Sequence, residues 1–147
     1  ERYRLHRAQA GRLDRDQGRH EVRWLPAFWA LFLMDDAEQV ATLHALYPGA
    51  ERWEVFERTF VYIPGLVVQT TTGPMKVDAL LSPHSVPQYG GYPTRLFVNC
   101  RLPDSEKAKN WQSHQVLGEQ WWAVSWQGVS SDQPWQQILA AHLHAFT

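Results

Sequence analysis

The first helical pattern along the chain lies in residues 35–49. Its apolar positions recur at the spacing of a helix, at Val40, Leu43 and Tyr47. Asp35 or Asp36 can cap the first turn, and Pro48 and Gly49 follow the last apolar position. These signals predict a helix between the aspartates and the Pro-Gly step.

A second helical pattern covers residues 134–146. Ser131 or Asp132 stands where an N-cap is expected, and Pro134 falls in the first turn. One face carries Trp135, Ile138, Leu139, His142, Leu143 and Phe146. This stripe predicts an amphipathic helix that packs on one face of a sheet.

Between the two helical patterns, runs of β-branched, aromatic and alternating residues predict strands. There are four of them, at residues 59–69, 75–81, 94–102 and 121–126. The Gly-Pro step between the first two predicts a hairpin, whereas residues 103–118 are polar and predict a long loop. The pattern as a whole predicts an α+β fold, with an antiparallel four-stranded meander packed on the C-terminal helix and further helices at the N-terminus.

Length and charge restrict the classes of protein that fit this pattern. A chain of 147 residues is expected to form one domain, here 1–147, with residues 1–34 as a basic N-terminal extension. Seven of the 14 Lys and Arg residues fall in the first 24 positions, which predicts a solvated helix or, alternatively, a basic patch that faces a partner or a nucleotide. The formal net charge of −1 disfavours nucleic-acid binding as the main activity.

The single cysteine, Cys100, cannot form an internal disulfide, and we find no signal segment and no apolar run of about 18 residues. We therefore expect a cytoplasmic protein without a membrane segment. His142 and His144 lie two residues apart on the last helix and face different directions, so we expect no metal. The chain has no Gly-rich phosphate loop, so we expect no nucleotide cofactor and dependence on a partner for activation.

Two local motifs resemble those of ubiquitin-conjugating enzymes. The segment "GGYPTRLFV" is similar to the Tyr-Pro step that leads into the third strand of that family, and "LGEQWWAVSWQGVSSDQPWQQIL" is similar to its Gly, Trp and Pro positions before an amphipathic helix. The family's His-Pro-Asn tripeptide is absent, and the place of its catalytic cysteine corresponds to the neighbourhood of Trp121. The Trp-rich segment is similar to divergent bacterial members, of the kind found in anti-phage (CBASS-type) operons.

The resemblance implies a UBC-like fold and a transferase that carries an acyl group as a cysteine thioester. Its partner would be a cGAS-like nucleotidyltransferase or a ubiquitin-like protein, whose C-terminus is passed to a lysine in antiviral defence. The alternative is an inactive binding module of the same fold that docks a partner protein. Whether the chain is an enzyme stays open at this point.

The candidate nucleophile is Cys100, at the end of the third predicted strand. A thiol needs an activating group, and His84 and His114 lie on segments that flank this strand. Asn99, or alternatively Asn110, could donate to the oxyanion. The opposite interpretation is that Cys100 is buried and inert. Seryl nucleophiles are a weaker alternative because the Gly-x-Ser-x-Gly motif is absent.

Partner binding is predicted for the long loop 103–118, for the basic N-terminal helix and for the Trp-rich segment. The residues assigned to it are Trp111, Trp121 and Arg101. Tryptophans serve equally well in a core or at a docking surface. The sequence pattern leaves both roles open for them.

Overall fold

The computed structural model describes residues 34–126 and 128–147. This part of the chain is an α+β fold with a six-stranded antiparallel sheet and two α-helices. The predicted basic helix of the first 24 residues, and nearly all of the predicted 1–34 extension, lie outside the described residues. Within the described ranges, no helix has the length and apolar character needed to cross a membrane.

The helices are α1 (Asp36–Leu46) and α2 (Trp135–His144), and a short 3₁₀ turn covers Pro87–Tyr89. The strands are β1 (Glu51–Val55), β2 (Arg58–Thr70), β3 (Gly73–Ser82), β4 (Arg95–Val98), β5 (Trp111–Val116) and β6 (Glu119–Val124). Their order in the sheet is β1-β2-β3-β4-β6-β5. The first four strands form a meander, and the β5-β6 hairpin adds to it with β6 innermost.

Both predicted helices are confirmed, but only one has the predicted cap. Asp35 caps α1, where its carboxylate accepts a hydrogen bond from Glu38 N–H at 2.8 Å. The prediction of a Ser131 or Asp132 cap for α2 is wrong, because the residue before its first turn is Pro134 and no side chain of that segment caps the helix. The N–H of Trp135 instead donates to Gln39 Oε1 of α1 at 3.2 Å.

The predicted hairpin between residues 59–69 and 75–81 is confirmed as β2 and β3, which pair from Val61 to Thr70. The register shifts between Ile63 and Leu66, so Pro64 and Gly65 form a bulge. Gly65 has a φ of 64°, and its N–H donates to Asp78 Oδ1 at 2.9 Å. The Pro-Gly break in the sequence thus marks a bulge inside one long strand.

The prediction of four strands is wrong, because the sheet has six. The two strands that the pattern missed are β1, with the sequence ERWEV, and β5, with the sequence WQSHQV. β5 lies within the predicted loop 103–118, and its polar residues conceal it because they face solvent on an edge strand. The third predicted strand is also shorter than expected and ends at Val98.

Two apolar clusters lie on opposite faces of the sheet. The first cluster packs the two helices on residues that alternate along the strands, such as Ile63, Leu81 and Val98. The second cluster includes Phe60, Leu80, Val86, Tyr89, Phe97 and Trp121 and lies on the other face. The predicted stripe of α2 belongs to the first cluster, in which Trp135, Ile138 and Leu139 are buried. The prediction that α2 covers one sheet face is therefore confirmed.

Candidate functional site

Cys100 follows β4 and packs at the border of the first cluster. Its side chain is half-buried, and it is the one free cysteine. Just before it, Asn99 N–H donates to the carbonyl oxygen of Asp78 at 3.0 Å, which extends the pairing of β3 and β4 by one residue. Cys100 therefore lies beside the middle of β3, on the face that carries the helices.

His84 lies two residues after Ser82, the last residue of β3. Its Nε2 atom is 3.7 Å from Asp36 Oδ1, and its ring packs edge-on against Trp135 with the centroids 5.6 Å apart. Asp78, beside Cys100, and Ser82, beside His84, are separated by about 13 Å along an extended strand. The structure thus does not bring His84 to the thiol.

His114 lies in the middle of β5, on the face opposite Cys100. Its ring contacts Tyr89 and Phe97 of the second cluster, with centroids 5.7 and 5.8 Å apart. Cys100 packs instead against the first cluster, so the sheet itself lies between the two side chains. The activating pair expected from the sequence is not assembled in this conformation.

The buried partner of His114 is Arg95, which is only 3% exposed. Arg95 Nη1 lies 3.0 Å from His114 Nε2, and Nη2 donates to Gln112 Oε1 at 2.9 Å. A guanidinium has no acceptor, so His114 Nε2 accepts and the ring proton resides on Nδ1. Burial lowers the pKa of His114, and the positive charge of Arg95 lowers it further.

Arg95 is a buried cation without an acidic partner among the described residues. Its Nη1 also donates to the carbonyl oxygen of Tyr89 at 2.7 Å, and the Tyr92 ring covers the guanidinium at 4.3 Å from the ring centroid. Burial lowers the pKa of Arg95, and its Nε–H has no hydrogen-bond partner. The Tyr89 carbonyl oxygen and the face of the Tyr92 ring together stabilise the guanidinium charge, a role that a carboxylate would otherwise have.

Asn99 belongs to a polar network that holds the β2 bulge. Its Oδ1 atom accepts a hydrogen bond from Asp78 N–H at 3.0 Å, and Asp78 Oδ1 accepts from Gly65 N–H. This arrangement gives the Asn99 carbonyl a structural role. No described residue accepts a hydrogen bond from the Asn99 NH₂ group.

The residues predicted to bind a partner differ in accessibility. Trp121 is 2% exposed and lies in the second cluster, where it packs edge-on against Trp53 and Tyr62. Trp111 is half-buried and stacks on Phe146 at 5.8 Å. Trp121 is thus a core residue, and Trp111 presents only part of its ring.

Arg101, the third residue of that prediction, is exposed. Its Nη2 lies 3.2 Å from Asp104 Oδ1, and about half of each side chain is accessible to solvent. An ion pair in this environment contributes little to stability. Arg101 is therefore free to reorient toward a partner.

A surface groove lies between the C-terminal end of α1 and the β2 bulge. It has a volume of about 330 Å³ and is lined by residues 46–49 and 64–67. Leu46 and Val67 flank it with exposed fractions of 57% and 58%. We call this surface the α1-β2 groove. Exposed large apolar side chains that lie together are typical of interaction sites.

Sequence reasoning missed both the Arg95 cluster and the α1-β2 groove. The Pro64-Gly65 break was a signal for the groove, because Pro and Gly inside a strand pattern indicate a bulge that exposes neighbouring positions. For the Arg95 cluster, the only signal in the sequence was that Arg95 and Phe97 lie two residues apart in one strand and therefore share a face of the sheet. Its contacts with Gln112 and His114 depend on β5, which was not predicted.

Among the described residues, no group of three His, Cys, Asp or Glu side chains is arranged to hold a metal ion.

Comparison with known proteins gives no family for this chain. No protein-family model, no curated protein and no solved structure matches its sequence or its fold.

Proposed function

We propose that this chain is a partner-binding module of the ubiquitin-conjugating-like type and docks a partner protein without carrying a thioester. The sequence resemblance names the class of partner, a ubiquitin-like protein or a cGAS-like nucleotidyltransferase of an anti-phage system. The docking surface in this proposal is the α1-β2 groove. An apolar side chain of the partner would enter it between Leu46 and Val67.

The observation that carries the proposal is the separation of Cys100 from both histidines. Acyl transfer through a thioester needs an accessible thiolate, and a base or a positive charge beside the sulfur supplies it. His114 and its partner Arg95 lie on the opposite sheet face, and His84 lies beyond the last residue of β3. A binding role requires none of these groups near the sulfur.

The α1-β2 groove supports the proposal through its two exposed apolar side chains. Of the three large hydrophobic residues that are more than half exposed in the described structure, Leu46 and Val67 belong to this groove. The third, Phe56, lies at the turn between β1 and β2 and contacts Tyr89. A partner that covers the groove removes apolar area from water, and each Å² of that area contributes roughly 25 cal/mol to the free energy of binding.

The test is pull-down of the full chain with purified candidate partners, the products of the genes beside its own. We expect Leu46→Asp and Val67→Asp each to lower the affinity about tenfold or more, because a charge in the groove must be desolvated on binding. Phe56→Asp is the matched control, since it changes an equally exposed apolar residue outside the groove. Equal loss with all three variants, or with none of them, would contradict the assignment of the groove.

A second candidate, the thioester carrier, rests on one observation. Cys100 is half-buried and not enclosed, and it lies where β4 gives way to the loop that leads to β5. Partner binding could bring an activating group to the sulfur in trans.

Alkylation and adduct trapping distinguish the two candidates. In the binding module, Cys100→Ala leaves the complex with the partner intact and no thiol-sensitive adduct forms. In the thioester carrier, Cys100→Ala abolishes such an adduct and Cys100→Ser converts it to a more stable ester. Iodoacetamide labelling of native Cys100, with and without the partner, reports whether its sulfur is reactive in either state.

A further inference from the structure

Strand β5 forms one edge of the described sheet and pairs only with β6. The turn between them, Leu117 and Gly118, has φ angles of 49° and 83°, as in a two-residue type I′ hairpin. The residues that flank such a turn form a hydrogen-bonded pair, and the pairs alternate from there. The hydrogen bond from Ser125 N–H to the Asn110 carbonyl, 2.9 Å long, agrees with this alternation.

The alternation leaves three residues of β5 with main-chain groups that point away from the sheet. These residues are Trp111, Ser113 and Gln115. The Gln115 carbonyl accepts a hydrogen bond from the Tyr89 hydroxyl at 3.0 Å and keeps a second lone pair. No other described group bonds to the outward main chain of these three residues. Apart from the lone pair of Gln115 that Tyr89 occupies, the edge therefore presents a row of donors and acceptors without a partner among the described residues.

The β5 edge also lacks the usual protection against strand pairing. Native edge strands carry charged residues, proline or bulges that discourage a second strand from adding to them. The opposite edge of the described sheet, β1, follows this rule with Glu51, Arg52 and Glu54. β5, with the sequence WQSHQV, has no charged residue, no proline and no shift of register.

We propose that β5 pairs with β5 of a second copy of this chain. The two strands run antiparallel and are related by a two-fold axis that passes through Ser113. In this register Ser113 lies opposite the second copy's Ser113, and Trp111 lies opposite its Gln115. The two sheets then form one continuous sheet across the interface. This proposal is independent of the α1-β2 groove and goes beyond the proposed function.

A second copy suits this edge because the outward residues are symmetric about their centre. Three outward residues with Ser113 in the middle pair with themselves without a mismatch, as an isologous interface requires. On the face of the second cluster, Gln112 then lies opposite His114 of the other copy. His114 offers its Nδ1–H there, and Gln112 Oε1 has a lone pair beyond the one that Arg95 uses.

The absence of charged residues on β5 also favours a second copy of this chain as the partner of this edge. No like charges meet in the pairing, because β5 carries none, and the formal net charge of −1 gives little repulsion between whole copies. An extended segment of another protein could bond to the same main-chain groups, but β5 has no charged side chain that would favour one foreign sequence over another. A second copy needs no such side chain, because its β5 strand matches the outward residues in register.

The first test is sedimentation velocity of the full chain over a range of concentrations. We expect a concentration-dependent dimer, and Ser113→Lys should raise its dissociation constant about tenfold or more, because two ammonium groups face each other at the axis. Gln69→Lys is the matched control, since it adds the same charge at an exposed position of β2, which is far from β5 in the strand order. Its dissociation constant should equal that of the unmodified chain.

The second test uses cysteine cross-linking and reports the register. Cys100→Ala removes the only cysteine, so Ser113→Cys in that background creates a single thiol at the axis. Hydrogen-bonded strand pairs have Cα atoms about 5.5 Å apart, which suits a disulfide. Mild oxidation should give a covalent dimer of this variant. Gln115→Cys in the same background should stay uncrosslinked, because its counterpart is Trp111.

Three results would overturn the proposal. They are a monomer at every concentration, a dimer that Ser113→Lys does not weaken, and cross-linking at position 115 in preference to 113. A monomer that instead binds a synthetic strand peptide at β5 would assign the edge to a foreign segment and would equally exclude self-pairing.

Discussion

The Nε2 atom of His142 lies 2.9 Å from the hydroxyl oxygen of Thr94, and that hydroxyl lies 2.9 Å from the carbonyl oxygen of Val129. The hydroxyl has one proton, and when it donates this proton to Val129 it accepts from Nε2–H of the imidazole. Both side chains are buried. A neutral His142 thus ties α2 to the start of β4 and to the segment after β6.

Acid should destabilise the fold through His142. Burial lowers its pKa from 6.5 to about 4, with a smaller contribution from Arg95, so the unfolded chain binds a proton there at higher pH than the folded one. The contribution of neutral His142 to the free energy of unfolding is fully present above pH 6.5 and is lost as the pH falls toward 4. The loss amounts to about 3 kcal/mol. Urea denaturation at pH 7 and pH 4.5 measures this difference.

The control for this prediction is on the same helix. His142→Gln should flatten the pH dependence, whereas His144→Gln, which removes an exposed imidazole, should leave it as in the unmodified chain. If His142→Gln unfolds with the same pH dependence as the unmodified chain, another group is responsible for the acid sensitivity.

The hydrogen bond from Trp135 N–H to Gln39 Oε1 should contribute measurably to stability. Gln39→Leu keeps a side chain of similar size but leaves a buried N–H without its acceptor, at a cost of about 1–3 kcal/mol. Gln137→Leu makes the same change at an exposed position of α2 and should cost less than about 0.5 kcal/mol. Equal free energies of unfolding for the two variants would mean that this bond is not formed in solution.

Leu139 is buried in the first cluster and should be among the most sensitive positions of α2. Leu139→Ala removes a side chain that is 1% exposed, and we expect a loss of about 2–5 kcal/mol in the free energy of unfolding. Leu46→Ala makes the same change at an exposed position. Leu46→Ala should unfold at nearly the same urea concentration as the unmodified chain. An equally small effect of Leu139→Ala would place Leu139 outside the core.

His114 should be neutral and protonated on Nδ1 at neutral pH. Its pKa is lowered by burial and by Arg95, so Arg95→Met should raise that pKa toward 6.5. Two-dimensional ¹⁵N NMR of the imidazole identifies the tautomer, and titration of its carbon-bound protons gives the pKa. Arg101→Met, a change at an exposed arginine, is the control. An Nε2-protonated ring in the unmodified chain would exclude the contact with Arg95.

The sequence by itself determined the elements whose signals are local. The apolar stripes of α1 and α2, the Asp35 cap and the β2-β3 hairpin follow from periodicity and turn residues, because these depend on neighbours a few positions away. The α+β class follows from those elements. A UBC-like identity and a role in acyl transfer or partner docking remain predictions.

Only the tertiary structure decided which elements the polar segments form and which side chains meet. ERWEV and WQSHQV become strands because β2 and β6 supply their hydrogen-bond partners, and no local signal reports a partner that is distant in sequence. Cys100 and His114 were expected to lie together because Cys100 ends the third predicted strand and His114 lies on a segment that flanks it. Strand alternation places them on opposite faces of the sheet, and that outcome depends on the pairing of β5, which the chain acquires only by folding.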